Sequence, residues 1–328
     1  MKRVLITGAS GFLGYHLIQA ALQSGLQVIA AVRKSSHIEH LKDLNIRYTD
    51  LDFTSVSSLK KEIEDNAYHY IIHASGVTKA KTQQEYDTIN ALYTNNLALA
   101  ASTANVRIEK FVFVSSLAAL GPLEALKGQI EDDSEARPVT LYGQSKLLAE
   151  KYLAEIPGLP LIVIRPTAVY GPREKDMYIL FKTINNGWEP HIGRFEQHLS
   201  FVYVKDLAEV IVDALQSKVT GKSYNVSDGF VYDRYALADG VKRALSKKTF
   251  AIHLPVRAVH ALAATMDLIY SKSEMTPALS KHKMPELTAL NWACNIRNIQ
   301  NDLNYNPEYD LEKGLHETVQ WYKNNNWL

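Results

Sequence analysis

The chain has 328 residues, 46% of them hydrophobic and 22% charged, which is the usage of an ordinary well-cored protein with room for one large and one smaller domain. The net charge of +1 offers no overall basic field to nucleic acid or to an anionic membrane, and no run of about 18 apolar residues is present to span a bilayer. The single cysteine, Cys294, excludes an internal disulfide and a thiolate metal site. No metal is expected, because the histidines of "HIEH" at 37–40 and "HKM" at 282–284 have no second cluster of ligands. The opening "MKRVLITGASGFLG" has basic residues and a short apolar run. Its glycines and the lack of a cleavage site argue against a signal peptide, so a reducing cytoplasm is the expected compartment.

Residues 3–6, "RVLI", read as a strand, and "YHLIQAALQSG" as a helix. Between them lies "TGASGFLG", in which Gly8, Gly11 and Gly14 are spaced three apart and enclose Ser10, Phe12 and Leu13. A strand, a glycine turn and a helix make a phosphate cradle, with a pyrophosphate seated on the helix N-terminus. The second strand, "QVIAAVRKSS", lacks the terminal acid that would hold the adenosine ribose hydroxyls. Arg33 and Lys34 stand there instead and favour a 2′-phosphate, hence NADP over NAD.

Alternation continues through strands "IRYTDLDF", "YHYIIHASG", "KFVFVSS" and "PLIVIRPTAVYG", separated by helical stretches beginning at "SVSSLKKEIEDN", "YDTINALYTNNL" and "LYGQSKLLAEKY". Continuous apolar strands between helices predict an α/β fold: a doubly wound parallel sheet of Rossmann type, covered on both faces. Ligands bind at the carboxyl ends of such strands, where Asp50, Ser75, Ser115, Ser116 and Thr167 fall. After about residue 170 the alternation lapses. A smaller mixed lobe is expected over 171–328, holding "SYNVSDG" and the helix "PVRAVHALAATMDLIYS", with 200–215 returning to the first domain. The polar stretch 271–288 reads as either a lid or a connecting loop.

In "TLYGQSK", Tyr142 and Lys146 are i and i+4 on one helix face, with Thr140 as its cap. An ammonium beside a phenol lowers its pKa and suits it to proton transfer near neutrality, while a serine at the end of strand five can orient a substrate oxygen.

Together these stretches resemble the extended short-chain dehydrogenases/reductases, the group of NAD-dependent epimerases, dehydratases and dihydroflavonol-reductase-like enzymes. The matching residues include "TGASGFLG", "HASG", "YDTIN", "FVFVSSLAALG", "YGQSK", "RPTAVYGP" and "SFVYVKDLA". The resemblance implies Tyr142 as general acid/base, Lys146 as its electrostatic partner and ribose ligand, and Ser116 as holder of the substrate oxygen. Asn90 has two readings, part of a proton relay or a bond within its helix. Asp50 and Leu51 would meet the adenine, Ala74, Ser75 and Gly76 the pyrophosphate and ribose, and Pro166, Thr167 and Val169 the nicotinamide amide; Ser115 joins this cofactor set. A homodimer through the helices around residues 90–100 and 146–156 is also implied.

Departures from the family are informative. Leu117-Ala118 stand where dehydratases resemble one another in carrying Asp-Glu, so elimination of water is disfavoured. The segment before "FVYV" reads His198, Leu199, Ser200, without the arginine that grips a diphosphate. Leu117, Arg173, Tyr178 and His198 are the candidate substrate contacts. The expected activity is hydride transfer to or from a carbonyl or secondary alcohol. A nucleotide-sugar epimerase and a redox-inert NADP-binding regulator are the alternatives.

Overall fold

The computed structural model describes residues 1–270 and 279–328. Part of the stretch read as a lid or loop, 271–278, therefore lies outside the described residues. The elements run β1 (Arg3–Thr7), α1 (Phe12–Gln23), β2 (Gln27–Ala31), β3 (Arg47–Thr49), α2 (Val56–Asn66), β4 (Tyr70–His73), α3 (Gln83–Tyr86), α4 (Tyr93–Thr103), β5 (Lys110–Val114), α5 (Leu141–Ala154), β6 (Leu161–Pro166) and β7 (Ala168–Tyr170). They continue with α6 (Tyr178–Asn185), β8 (Trp188–Ile192), β9 (Phe201–Tyr203), α7 (Val204–Gln216), β10 (Lys222–Val226), α8 (Ala236–Leu245), β11 (Phe250–Leu254), α9 (Val256–Tyr270), α10 (Met284–Leu287), α11 (Arg297–Leu303) and α12 (Leu311–Asn324).

Seven strands form one sheet in the order β10-β6-β5-β4-β1-β2-β3, and every neighbouring pair is parallel. The strand order reverses between β1 and β4, which opens a crevice at their carboxyl ends. The pleat divides β1 between two cores. Val4 and Ile6 pack with α1 and α7, and Leu5 packs with α2, α4 and α5.

Two expectations change. The sixth predicted strand divides at Thr167, whose N–H makes a last rung to Val226 O of β10; beyond it β7 leaves the sheet and pairs with β9. Residues 222–226 of "KSYNVSDG" were expected in the smaller lobe. They are β10, hydrogen-bonded along β6 as the seventh strand of the main sheet. Residues 204–216 form α7, buried against that sheet. The rest of the second half builds an aromatic cluster of Tyr170, Phe181, Phe201, Tyr203 and Tyr322, and a two-stranded ribbon, β8 and β11, followed by α9.

Candidate active site

The turn after β1 is shaped for close approach. Gly8 has φ +69°, a Cβ on it would stand 2.5 Å from Ala74 O, and one on Gly14 would stand 2.2 Å from Gly8 O. Gly11 N–H donates to Gly8 O at 3.0 Å. Immediately afterwards α1 starts with no side-chain cap and no acid in its first turn, so its N–H groups are left for an anion. Ser10, Phe12 and Leu13 lie partly buried on the same turn. Arg33 and Lys34 are exposed just beyond β2, while Asp50 and Leu51 follow β3, and Ala74, Ser75 and Gly76 follow β4. All of them thus lie along the carboxyl edge on either side of β1.

Thr140 caps α5 by accepting from Gly143 N–H at 3.0 Å. A Cβ on Gly143 would stand 2.2 Å from Ala118 O, so this glycine lets the helix press on the turn after β5. That contact brings the Tyr142 phenol to the Ser116 side chain, which acts to lower its pKa. Lys146, one turn further, is buried; its Nζ donates to Val114 O at 2.9 Å and stands 4.8 Å from the Phe113 ring centroid. Burial lowers the lysine to about 8, partly opposed by the Glu150 carboxylate. Burial also pushes the Tyr142 phenol above its ordinary value, the Ser116 side chain pulls it back, and the Glu286 carboxyl adds to the rise. Removal from water dominates the phenol in this arrangement, and the Lys146 ammonium is drawn toward a backbone carbonyl.

Asn90 is fully buried in a π-helical turn, Asp87–Leu92, between α3 and α4. Its Oδ1 accepts from Val77 N–H at 2.8 Å, and its Nδ2 donates to Val77 O and to Ser145 Oγ, both at 3.0 Å. Ser145 Oγ donates in turn to Tyr142 O at 2.8 Å. These are the bonds of a brace between the loop after β4 and the tyrosine-bearing helix.

A further chain of bonds, not visible in the sequence, runs beneath. Ser75 N–H donates to Thr7 Oγ1 at 3.1 Å, Thr7 Oγ1 meets His73 Nδ1 at 2.8 Å, and His73 Nε2 meets Thr94 Oγ1 at 2.9 Å. Thr94 spends its single hydroxyl proton on Asn90 O at 2.7 Å, so it must accept from His73. The network thereby assigns a neutral His73 with its proton on Nε2. Burial holds it neutral, with a pKa lowered to about 3.

Ser115 differs from its neighbour. Its hydroxyl donates to Glu150, which grips Arg165 through bonds of 2.6 to 3.1 Å, so this serine is committed within the protein rather than presented to a ligand.

A cavity of about 1020 Å³ opens in front of Ser116 and Tyr142. Leu117, Pro166, Thr167 and Val169 form one wall, and Met177, Leu180, Pro190 and Leu199 of the second half face them. Thr167 Oγ1 is buried with no partner at this wall. That unmet hydroxyl, the glycine cradle and the uncapped α1 fit a dinucleotide lying from the turn to the cavity.

Leu117 is brought to the cavity, whereas Arg173, Tyr178 and His198 do not line it. Arg173 lies flat against Tyr15 at 4.2 Å, Tyr178 donates to Trp327 O within the aromatic cluster, and the backbone of His198 bridges Leu290 and Trp292. Sequence reasoning missed Tyr86, whose ring centroid is 6.3 Å from that of Tyr142, and Glu286, a cavity carboxyl whose pKa burial raises. It also missed Arg234, whose guanidinium donates to Phe195 O and Ile192 O, both at 2.6 Å. No local pattern marks these residues; only the fold collects them.

The family model for the NAD dependent epimerase/dehydratase family matches residues 4–227, and the chain belongs to that family. A ceramide reductase from Caulobacter vibrioides is 26% identical over 99% of this chain and 96% of the relative. A UDP-glucose 4-epimerase from Vibrio cholerae is 24% identical over 97% of this chain and 95% of its own length. Among solved structures, UDP-glucuronic acid 4-epimerase from Bacillus cereus in complex with NAD superposes with a TM-score of 0.77 at 21% identity, covering 98% of this chain and 99% of that one. The fold is that of the extended short-chain dehydrogenase/reductase enzymes, and the chain is an NAD(P)-dependent enzyme of this family.

Proposed function

We propose that the protein is a reductase, or in reverse a dehydrogenase, acting on a carbonyl or secondary alcohol attached to an apolar body, with NADP favoured by Arg33 and Lys34. The observation that carries this reading is that Ser116 and Tyr142 line one largely apolar cavity side by side. Gly8 to Gly14 and the start of α1 would hold the pyrophosphate, Lys146 a ribose hydroxyl, and Thr167 the carboxamide. The bound dinucleotide supplies the hydride. Ser116 accepts Ala118 N–H at 3.2 Å and orients the substrate oxygen, and Tyr142 gives that oxygen its proton. A phenol raised by burial stays protonated at neutral pH. An alkoxide formed on reduction is far more basic than a phenolate, so the transfer still runs downhill. Lys146 is then placed to meet the charge left on Tyr142.

Two of the cavity's cations are already engaged, Arg234 with backbone carbonyls and Lys79 with Asp176 at 2.6 Å, and the lining is mainly apolar. The relative named ceramide reductase agrees with an amphipathic, lipid-like substrate. The epimerase relatives keep a second reading open, transient oxidation of a nucleotide sugar by the same pair. The test mixes purified protein with NADPH or NADH and either long-chain ketones or nucleotide sugars. Net loss of absorbance with ketones supports reduction. Interconversion of sugars without net consumption overturns it in favour of epimerisation. The homodimer through α4 and α5 belongs to the same proposal; Leu92, in the π-helical turn that leads into α4, is 45% exposed.

A further inference from the structure

α9 carries two apolar faces. Its inner side packs Val259 and Ala263 on Met284, Ile192, Leu279 and Leu287, and Asp267 and Tyr270 line the cavity. Its outer side repeats at helical spacing through Ala258, Ala261, Leu262, Thr265 and Ile269, all exposed, with Leu262 at 50% and Ile269 at 69%. The ribbon before it continues the surface. Trp188 and Ile192 share a pleat face, as do their partners Phe250 and Leu254, and α9 covers only the Ile192 end. At the open end Trp188 and Phe250 stand exposed, edge to face at 6.1 Å. Isolated apolar side chains on a surface mean little, but two adjoining elements exposing several large ones mark a contact surface.

The charges nearby indicate the partner. Residues 246–270 and 279–287 carry Lys247, Lys248, Arg257, Lys281 and Lys283 against Asp267 and Glu286, a local excess hidden within the chain's total of +1. None of those five cations forms a salt bridge among the described residues. Asp267 accepts from Lys281 N–H at 2.9 Å and lines the cavity together with Glu286, Lys281 and Lys283, whereas Lys247, Lys248 and Arg257 are exposed outside that lining. A second copy of this face would bring like charges together. A sheet of anionic headgroups meets the cations, and its boundary with the acyl chains accepts leucine, isoleucine and tryptophan.

We propose that the outer face of α9, with the open end of the β8–β11 ribbon, docks on an anionic lipid bilayer, the helix lying in the plane of the interface. The cavity then opens behind the docked helix, and a lipid-like substrate passes into it without crossing bulk water. That last step rests on the reductase reading; the docking does not. The test floats the full chain on a density gradient with vesicles of phosphatidylcholine alone or mixed with phosphatidylglycerol. Flotation with the mixed vesicles is expected, weakening with salt. The double variant Leu262→Glu, Ile269→Glu should lose at least about tenfold in vesicle affinity, with NADPH binding and thermal midpoint unchanged. Lys247→Glu with Lys248→Glu should show a smaller loss confined to anionic vesicles. Wild-type protein that stays with the soluble fraction, or a double variant that floats equally well, overturns the proposal. A wild-type dimer that the double variant converts to monomer, with no vesicle binding, assigns the face to a second copy instead. Ketone reduction measured in detergent is scored separately, so failure to float leaves the catalytic reading intact.

Discussion

The two halves of the molecule treat polar groups in opposite ways. Under the nucleotide crevice, Thr7, His73, Thr94 and Asn90 are each no more than 1% exposed, and every one is hydrogen-bonded. The cavity wall of the second half is built mostly from aliphatic and aromatic side chains, and Arg234 there is turned toward backbone carbonyls. The first arrangement is rigid because each buried donor has a single geometry that satisfies it. The second is permissive, because apolar packing tolerates exchange of shape at constant volume. On the proposed reading, the first half fixes the chemistry and the second the choice of substrate.

The sharpest test of that contrast removes the phenol. Tyr142→Phe keeps the ring and is expected to lower turnover by about 10²–10⁴-fold, with dinucleotide affinity unchanged in a fluorescence titration; comparable turnover would dissolve the division of labour. Next in size, Glu150→Ala strands the Arg165 guanidinium, with a cost of about 3–5 kcal/mol in urea unfolding. His73→Phe leaves the Thr7 and Thr94 hydroxyls without their shared partner, for about 1–3 kcal/mol per stranded group. The histidine adds a pH signature. Its folded pKa of about 3 lies below the ordinary histidine value of 6.5, so the unfolded chain binds the proton first, and stability is lost as pH falls from 6.5 toward 3. His73→Phe should flatten that slope when urea midpoints are compared at neutral and acid pH. The smallest effect is expected of Arg33→Ala, which should weaken NADP by about tenfold while barely touching NAD. Equal losses would remove Arg33 from cofactor choice.

The nucleotide half was legible in the sequence because its requirements are local. A glycine at Gly14 is demanded by a carbonyl six residues away, and Tyr142 and Lys146 share a face by helical geometry alone. The His73 chain was not legible, since it joins residues from β1, β4 and α4 that only the sheet brings together. Nor could the strand break at Thr167 be read from "PLIVIRPTAVYG", where the apolar pattern runs on while Val226 captures the backbone. Arg173 and Tyr178 carry the right chemistry for substrate contacts, but stacking on Tyr15 and burial against Trp327 decide their place. The overall charge is an average and does not record that Lys247, Lys248, Arg257, Lys281 and Lys283 fall within one part of the chain.

The position of β10 limits how the molecule can be dissected. The chain leaves the sheet after β6, contributes β7, α6, β8 and β9 elsewhere, and only then returns to lay α7 and β10 along it. A fragment ending near residue 170 would keep the glycine turn and the tyrosine, yet present β6 as a bare edge and leave the apolar side that α7 covers open to water. The two lobes are laced by a single thread, and cutting it does not release a working nucleotide-binding module.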